Sequence, residues 1–459
     1  MNKVKIAIIG AGSVSFCPAT VADILLNDSF ARVEIDLVLM DIAREALEVS
    51  AAYANEAAAK TGRPVRVIAT TSLEEAVDGA DFVVTAIEKD RYHYWSQDFH
   101  LPRRYGFRQV YGENGGPGGM FHFLRNVGPM LEISRAMEKG CPGAWLLNYT
   151  NPEAKLIEAI SKLTKTKVVG LCHGEQMGLD QLSKFLQIAR EDLDTEVCGL
   201  NHFGWFTKIR HRKTGENLYP LLRKKEQEAD WLADWDEYAL TRIMFRTYGL
   251  WAYPGANHIG EYIAWSDDYL ASALIQYFHD PVLDRPWSGG RTPEFVYSFA
   301  QNPTARPLFD ESRRGDAGDP GFKASFEVGQ TLSPSHEYGI TIAEAIYFRQ
   351  PVTIGAVNLP NQGQAPGILP GMAVETPATV DGKGIHPVQT GPLPTAITAM
   401  INQQGAIHEL LIQAYQEKSR NKLLQALLLD PAVSTYNNAV ALINDLCRLQ
   451  SDVLPEMYW

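Results

Sequence analysis

The chain has 459 residues, with 42 Lys+Arg against 54 Asp+Glu and a formal net charge of −12. An acidic chain without a Lys/Arg cluster lacks the electrostatic footprint of a nucleic-acid or anionic-membrane binder, and no window approaches the roughly 18–20 apolar residues that a membrane span needs. Its composition, 45% hydrophobic and 21% charged, is that of a globular chain able to bury a large core.

A basic start followed by a short apolar run superficially mimics a secretion signal. The run ends in a glycine turn and a helical pattern, so Val4–Ile9 reads as a strand and Gly10–Ser15 as its turn. Pro18–Asn27 follows as a helix, with Val21, Ile24 and Leu25 on one face. Val33–Met40 is a second strand, Arg44–Thr61 a helix and Val65–Ala69 a third strand. Ser72–Val77 is a short helix before the strand Phe82–Ile87. Trp145–Asn148 and Val168–Leu171 are two further buried strands. Short β-branched runs alternating with helical stretches are the pattern of parallel βαβ units. The expected fold is therefore α/β, with a Rossmann-type doubly wound sheet over residues 1–200. Beyond it, 201–459 reads as an α+β half large enough to supply a subunit contact. There Trp231–Tyr248 is helical and Arg285–Pro320 is a long irregular stretch. Val352–Ala356 and Met372–Glu375 are antiparallel strands, and Pro394–Asp430 and Tyr436–Leu449 are helical. The five scattered cysteines, Cys17, Cys141, Cys172, Cys198 and Cys447, read as reduced thiols of a cytoplasmic protein.

Gly10-Ala11-Gly12-Ser13 sits between a strand and a helix, where a dinucleotide-binding turn belongs. Glycine at 10 allows the tight turn, and glycine at 12 lets the backbone approach a pyrophosphate at the helix N-terminus. Ser15 occupies the place of the third glycine. Asp41 closes the second strand, where a carboxylate bonds a ribose 2′-hydroxyl and repels a 2′-phosphate, which favours NAD over NADP. Cys172 follows one strand and His202 another apolar segment. Such a pair either binds a divalent ion or packs as a small hydrophobe and a core imidazole. Glu113-Asn114 opens a run with four glycines in five positions, the backbone of a loop around a ligand or of a surface turn. Asn148 and Asn151 offer amides to vicinal sugar hydroxyls or cap the next helix.

In order along the chain, the glycine turn, Gly116-Pro-Gly-Gly119 with Arg125, Asn148–Pro152, Cys172-His-Gly-Glu175, Asn201-His202, Asn358-Leu-Pro-Asn361-Gln-Gly363 and Val374-Glu-Thr-Pro377 resemble glycoside hydrolase family 4. The resemblance covers almost the whole chain. It implies a fold like lactate and malate dehydrogenases, and hydrolysis by redox and elimination instead of displacement. NAD takes a hydride from C3 of the sugar, a base removes the C2 proton, a chelated metal stabilises the enediolate and the aglycone leaves. Water then adds at C1 and the hydride returns to C3. The resemblance makes Cys172 and His202 the ligands of Mn²⁺, an uneven pair because Mn²⁺ prefers oxygen to a soft thiolate. It places Gly10, Gly12, Ser13, Asp41 and Glu88 at the cofactor, and Glu113, Asn114, Arg125, Asn148 and Asn151 at the sugar. Tyr262 is the expected base, with His258 second, and a phenol of ordinary pKa near 10 needs metal or cationic neighbours to act so. His173 is the expected acid.

Cys172-His173-Gly174-Glu175 resembles members acting on unphosphorylated α-glycosides, α-glucosides first, with α-galactosides and α-uronides as alternatives. A 2-hydroxy-acid dehydrogenase of the same fold, or a silent NAD sensor, is the more distant alternative. The resemblance also implies that residues 201–459 bind substrate and metal, and that the protein is a homodimer or homotetramer.

Overall fold

The structure, a computed structural model, describes residues 3–229, 238–269 and 325–459. Six strands, β1 Lys3–Ile9, β2 Glu34–Met40, β3 Val65–Thr70, β4 Phe82–Thr85, β5 Trp145–Asn148 and β6 Lys167–Gly170, pair in parallel in the order β3-β2-β1-β4-β5-β6. That is the doubly wound order expected of a dinucleotide-binding sheet. Both faces of the inner strands are buried, which is why β1, β2 and β4 read as near-continuous apolar runs, while β3 at the edge is only half-buried. Ile6 and Ile8 of β1 join a core with helices α1 Cys17–Leu26 and α2 Arg44–Thr61, while Ala7 and Ile9 face a second core containing α3 Leu73–Val77. Ser72 caps α3 by accepting a hydrogen bond from the Glu75 N–H at 3.3 Å.

The sheet does not stop at β6. Strand β10 Val352–Pro360 pairs with β6 through Asn358 and Gly170, and β11 Ala373–Asp381 pairs with β7 Leu193–Leu200 through Glu375 and Gly199. β8 Phe203–His211, β9 Trp251–Tyr253 and β12 Gly384–Pro387 complete an antiparallel half, giving one sheet of 12 strands among the described residues. β7 belongs to this antiparallel half, so its pairing begins at Leu193. The C-terminal helices Thr395–Glu417, Arg420–Leu429 and Tyr436–Leu449 bury Ile397, Leu411, Leu423 and Leu442 in the same core as α3.

Three helices between the parallel strands carry the site: α4 Arg91–Arg104, α5 Gly116–Gly140 and α6 Glu153–Leu163. Further on lie α7 Gly174–Leu186, α8 Tyr219–Glu228, α9 Ala239–Tyr248 and α10 Ala256–Ile259. The glycine run expected as a loop is instead the first turn of α5. A Cβ at Gly119 would meet the Asn114 backbone at 2.6 Å, and one at Gly118 the Asp98 carbonyl at 2.7 Å, so the glycines let the chain fold back on itself. Of the helical stretch expected over Trp231–Tyr248, residues 231–237 lie outside the described residues, as does all of 285–320.

Candidate active site

Ligands of doubly wound sheets gather at the C-terminal ends of the strands, and this chain places its expected site residues there. Gly10 follows β1 with φ +86°, and a Cβ there would overlap the Ala86 carbonyl. The N–H groups of Gly10 and Ala11 both donate to the Met40 carbonyl at 3.0 Å, which locks the turn onto β2. Asp41 accepts from the Gly12 N–H at 2.8 Å and from the Ala43 N–H at 2.8 Å. Each of its oxygens keeps a second lone pair for a ribose hydroxyl. The adjacent Ile42 is 80% exposed, an apolar shelf beside the carboxylate. The turn thus has the form that fits a dinucleotide, with Gly10, Gly12 and Ser13 where a diphosphate would meet the start of α1 and Asp41 where a ribose would lie.

Glu88, just beyond β4, accepts from Arg91 at 2.7 Å and lies 3.1 Å from His122 Nε2. Burial works against its ionised form, but Arg91, His122 and Arg125 together hold it well below the usual carboxylate range. Arg91 reaches onward to Glu113 at 2.5 Å. The Glu113–Asn114 segment is gripped from two sides. Glu261 accepts from the Glu113 N–H at 2.5 Å and the Asn114 N–H at 3.0 Å, while the buried Lys155 ammonium donates to the Asn114 carbonyl. Gly115 must lack a side chain because a Cβ would lie 2.7 Å from Glu261. Burial lowers the Lys155 pKa to about 8, and burial with Glu113 nearby raises that of Glu261 well above the carboxylate range.

β7 and β8 are joined by a two-residue turn, Asn201-His202, in which His202 has φ +63°. Its Nδ1 is 2.9 Å from the Asn114 amide, and its ring stacks obliquely on His258, centroids 4.2 Å apart. Glu113, His202 and His258 bring donor atoms within 4.8 Å of one another, the grouping of that kind among the described residues. Burial, with His258 beside it, pushes His202 well below its ordinary pKa, and burial brings His258 to about 4. Both imidazoles are neutral donors at pH 7.

Cys172 follows β6, its Sγ accepting from the Gly174 N–H at 3.3 Å. Burial, then Glu153 and Glu375, push its thiol pKa well up. His173 stands at the mouth, its side chain 55% exposed and its Nδ1 3.4 Å from Glu337, which raises its pKa and suits it to donate a proton. Tyr262 is buried with its hydroxyl 3.2 Å from the Asn201 carbonyl. Burial, then Glu261 and Glu113, raise its pKa well above 10, so a role as proton acceptor depends on positive charge brought into the site.

The sugar-binding expectations divide. Asn151 has its carbonyl engaged by Asn126 at 2.7 Å, while its side-chain amide makes no hydrogen bond among the described residues. Asn148 is fully buried and spent within the turn: it accepts from the Thr85 hydroxyl at 2.9 Å and the Thr150 N–H at 3.1 Å, and donates to the Thr150 carbonyl at 3.0 Å. Arg125 turns inward, 2.6 Å from Asp98 and donating to Gln450 at 2.9 Å, with Tyr94 under its guanidinium. Arg91, Lys155, His122 and Glu261 are site components that sequence reasoning did not assign. The available signal was Lys155 itself, a charge on the apolar stripe of α6 between Ala154 and Leu156.

A nucleotide cradle opposite a buried acid–imidazole cluster, on one sheet end, defines an α/β enzyme. Comparison with known proteins gives its family. A model described as "Family 4 glycosyl hydrolase" matches residues 5–188, and one described as "Family 4 glycosyl hydrolase C-terminal domain" matches 197–433. The chain belongs to family 4 of the glycosyl hydrolases. Among curated relatives, an alpha-glucosidase of Erwinia rhapontici is 32% identical over 99% of this chain and 96% of its own length. An alpha-galacturonidase of Thermoanaerobacter italicus is 28% identical over 96% of this chain and 95% of its own. Among solved structures, a 6-phospho-alpha-glucosidase from gut microorganisms, in complex with NAD and Mn²⁺, superposes with a TM-score of 0.78 at 23% identity, covering 100% of both chains. That likeness carries the fold.

Proposed function

We propose that this protein hydrolyses unphosphorylated α-glycosides, α-glucosides first, with NAD and Mn²⁺ as cofactors. The observation that carries the reading is the joint placement, at strand ends of one sheet, of the Gly10–Asp41 cradle and the Glu113–His202–His258 cluster, with Cys172 following β6. When bound, NAD supplies reversible oxidation at the sugar's C3 and the divalent ion acidifies the neighbouring C2–H. Cys172 and His202 face the ion on the family pattern, and Glu88 lies on the cofactor side. Asn151 and Asn114 offer amides to sugar hydroxyls. Tyr262 takes the C2 proton, with His258 the second choice, and His173 protonates the departing oxygen at the mouth of the site.

The charge around the site favours a neutral sugar. Arg91 is engaged by Glu88 and Glu113, Lys155 by the Asn114 carbonyl and His173 by Glu337. A uronide or phosphosugar would meet these carboxylates, while Arg91, Lys155 and His173 already have protein partners.

Five unpaired cysteines fit a reducing, cytoplasmic setting, and no helix among the described residues is long and apolar enough to cross a membrane. We also place the division of labour between a nucleotide-binding half, about residues 1–200, and a substrate half, 201–459, and expect a homodimer or homotetramer.

The test is turnover of p-nitrophenyl α-glucoside, α-galactoside and α-glucuronide with NAD, Mn²⁺ and a thiol reductant, each omitted in turn. The α-glucoside is expected to turn over and to stop without Mn²⁺. Preference for the uronide would overturn the charge argument. Net NADH from a hydroxy acid, with no glycoside cleaved, would overturn the glycosidase reading.

A further inference from the structure

We propose that His122 is a positioning residue that ties the cofactor side of the site to the substrate side, by joining the carboxylate of Glu88 to the main chain of Glu113; this rests on the glycosidase reading above. Glu88 follows β4, and Ala86 and Ile87 just before it crowd the Gly10 turn. Glu113 stands ahead of α5 and shares its cluster with His202 and His258. The chain between the two glutamates runs out through the whole of α4 and back.

Two side chains close that gap. His122, in the first turns of α5, presents Nδ1 to the Glu113 carbonyl at 2.8 Å and Nε2 to the Glu88 carboxylate at 3.1 Å. Arg91 spans the same two residues, at 2.7 Å from the Glu88 carboxylate and 2.5 Å from that of Glu113. The four residues form a closed ring. A carbonyl can only accept, so Nδ1 of His122 carries the proton of its bond. Despite its burial Glu88 is held ionised, and its carboxylate favours an N–H over a lone pair at the Nε2 that faces it. One imidazole thus engages both glutamates through opposite ring nitrogens.

The two links are not equivalent. The Arg91 side chain is 36% exposed, and water softens its ion pairs. His122 is 2% exposed, lies between the core residues Phe121 and Phe123, and is carried by a helix of 25 residues. A ring clamped by core packing on a long helix holds its partners more tightly than a half-solvated guanidinium on a flexible stem. Hydride transfer needs the donor carbon and the nicotinamide placed to within roughly 0.5 Å, a tolerance that the Glu88 and Glu113 segments keep only if they move as one body.

The test compares His122→Asn, His122→Gln and His122→Phe in the full-length protein. An asparagine amide reaches the place of Nδ1 and a glutamine amide that of Nε2, so each keeps one partner and releases the other. NADH alone, titrated by fluorescence, reads the Glu88 side. The alignment is read by kcat, KM and the C3-deuterium isotope effect on cleavage of p-nitrophenyl α-glucoside. His122→Asn releases Glu88 and is expected to weaken NADH binding about fivefold or more. His122→Gln keeps Glu88 and should hold NADH affinity within about twofold, while kcat falls roughly tenfold or more, KM changes little and the C3 isotope effect grows. His122→Phe should show both losses, and if it does not fold the other two variants decide. A purely structural role predicts equal losses of NADH affinity in His122→Asn and His122→Gln that track their melting temperatures. That result, or wild-type NADH affinity in both, would overturn the proposal. If the wild type cleaves no glycoside, the proposed activity fails, and the NADH contrast between His122→Asn and His122→Gln decides for or against His122 by itself.

Discussion

Removing Asp98 distinguishes a sugar-holding Arg125 from one that holds the fold. The Asp98 side chain is 0% exposed and that of Arg125 4%, and the pair is joined by Gln450, whose amide also donates to Asp98 at 2.8 Å. Asp98→Ala strands a buried guanidinium that cannot give up its proton, a loss of about 3–5 kcal/mol. Arg125→Met strands a carboxyl instead. Burial already pushes the Asp98 pKa upward, with Arg125 and Gln450 opposing it, so without the arginine this group takes up a proton and becomes neutral. The two truncations should therefore differ, Arg125→Met costing roughly 2–3 kcal/mol. The sign of the pH dependence follows. In Arg125→Met the folded pKa of Asp98 lies above its unfolded value, so the penalty is full at pH 8 and shrinks as pH falls towards 5. Urea unfolding at pH 5.5 and 8 measures this, with the Asp98→Ala midpoint expected to fall by on the order of 1 M. If Arg125→Met kept wild-type stability while KM for the glycoside rose tenfold, the inward reading of Arg125 would be refuted.

Asp41→Ala should weaken NAD binding about tenfold or more, because it removes a charged acceptor from the Gly12 N–H as well as the ribose partner; NADH fluorescence titration reads this. Gly10→Ala combines φ +86° with overlap onto the Ala86 carbonyl, and should reduce folded yield and NAD binding together. Glu175 is 2% exposed, and burial raises its pKa to about 7, against hydrogen bonds from Tyr338 and Gln176. A raised carboxyl pKa costs stability as pH climbs from its unfolded value through 7. Glu175→Gln is thus expected to gain stability relative to wild type on going from pH 5 to pH 8, by at most on the order of 3 kcal/mol, in paired thermal melts. An equal difference at both pH values would show that Glu175 does not titrate in that range.

The parallel half was legible because burial on two faces writes itself as apolar runs: Val4–Ile9 and the observed Lys3–Ile9 differ by one residue at one end. The long C-terminal helices were legible for the related reason that a buried stripe imposes a helical spacing on Ile397, Ile401 and Leu411. The junction of β6 with β10 was not, since it joins Gly170 to Asn358 across a stretch no local pattern spans. Among site residues, strand-end positions such as Cys172 and Asp41 could be read from the strands they follow. The roles of Arg91, Lys155 and Glu261 could not, because each acts on Glu113 or Asn114 from a separate element, and nothing in a run of residues records that meeting. Asn148 and Arg125 read as ligand groups by type, and no run of residues records that Asn148 also bonds Thr150 or that Arg125 pairs with Asp98.

The seam between the two halves of the sheet has a mechanical consequence. On the proposed cycle, electrons leave C3 and must come back to the same carbon, so the nicotinamide and the sugar have to hold one alignment through elimination and hydration. Enzymes built as separate lobes can reopen between such stages. Here the nucleotide turn after β1 and the turn bearing His202 belong to the same hydrogen-bonded sheet, and the path between them narrows twice, to Gly170 beside Asn358 at the seam and to Gly199 beside Glu375 within the antiparallel half. A Cβ at Gly170 would overlap the Glu153 carboxylate, and one at Gly199 would meet the Phe203 carbonyl at 2.6 Å. A single methyl group at either glycine would shift the nucleotide turn against the turn bearing His202, and the expected signature is sugar left in its oxidised form with cofactor left reduced.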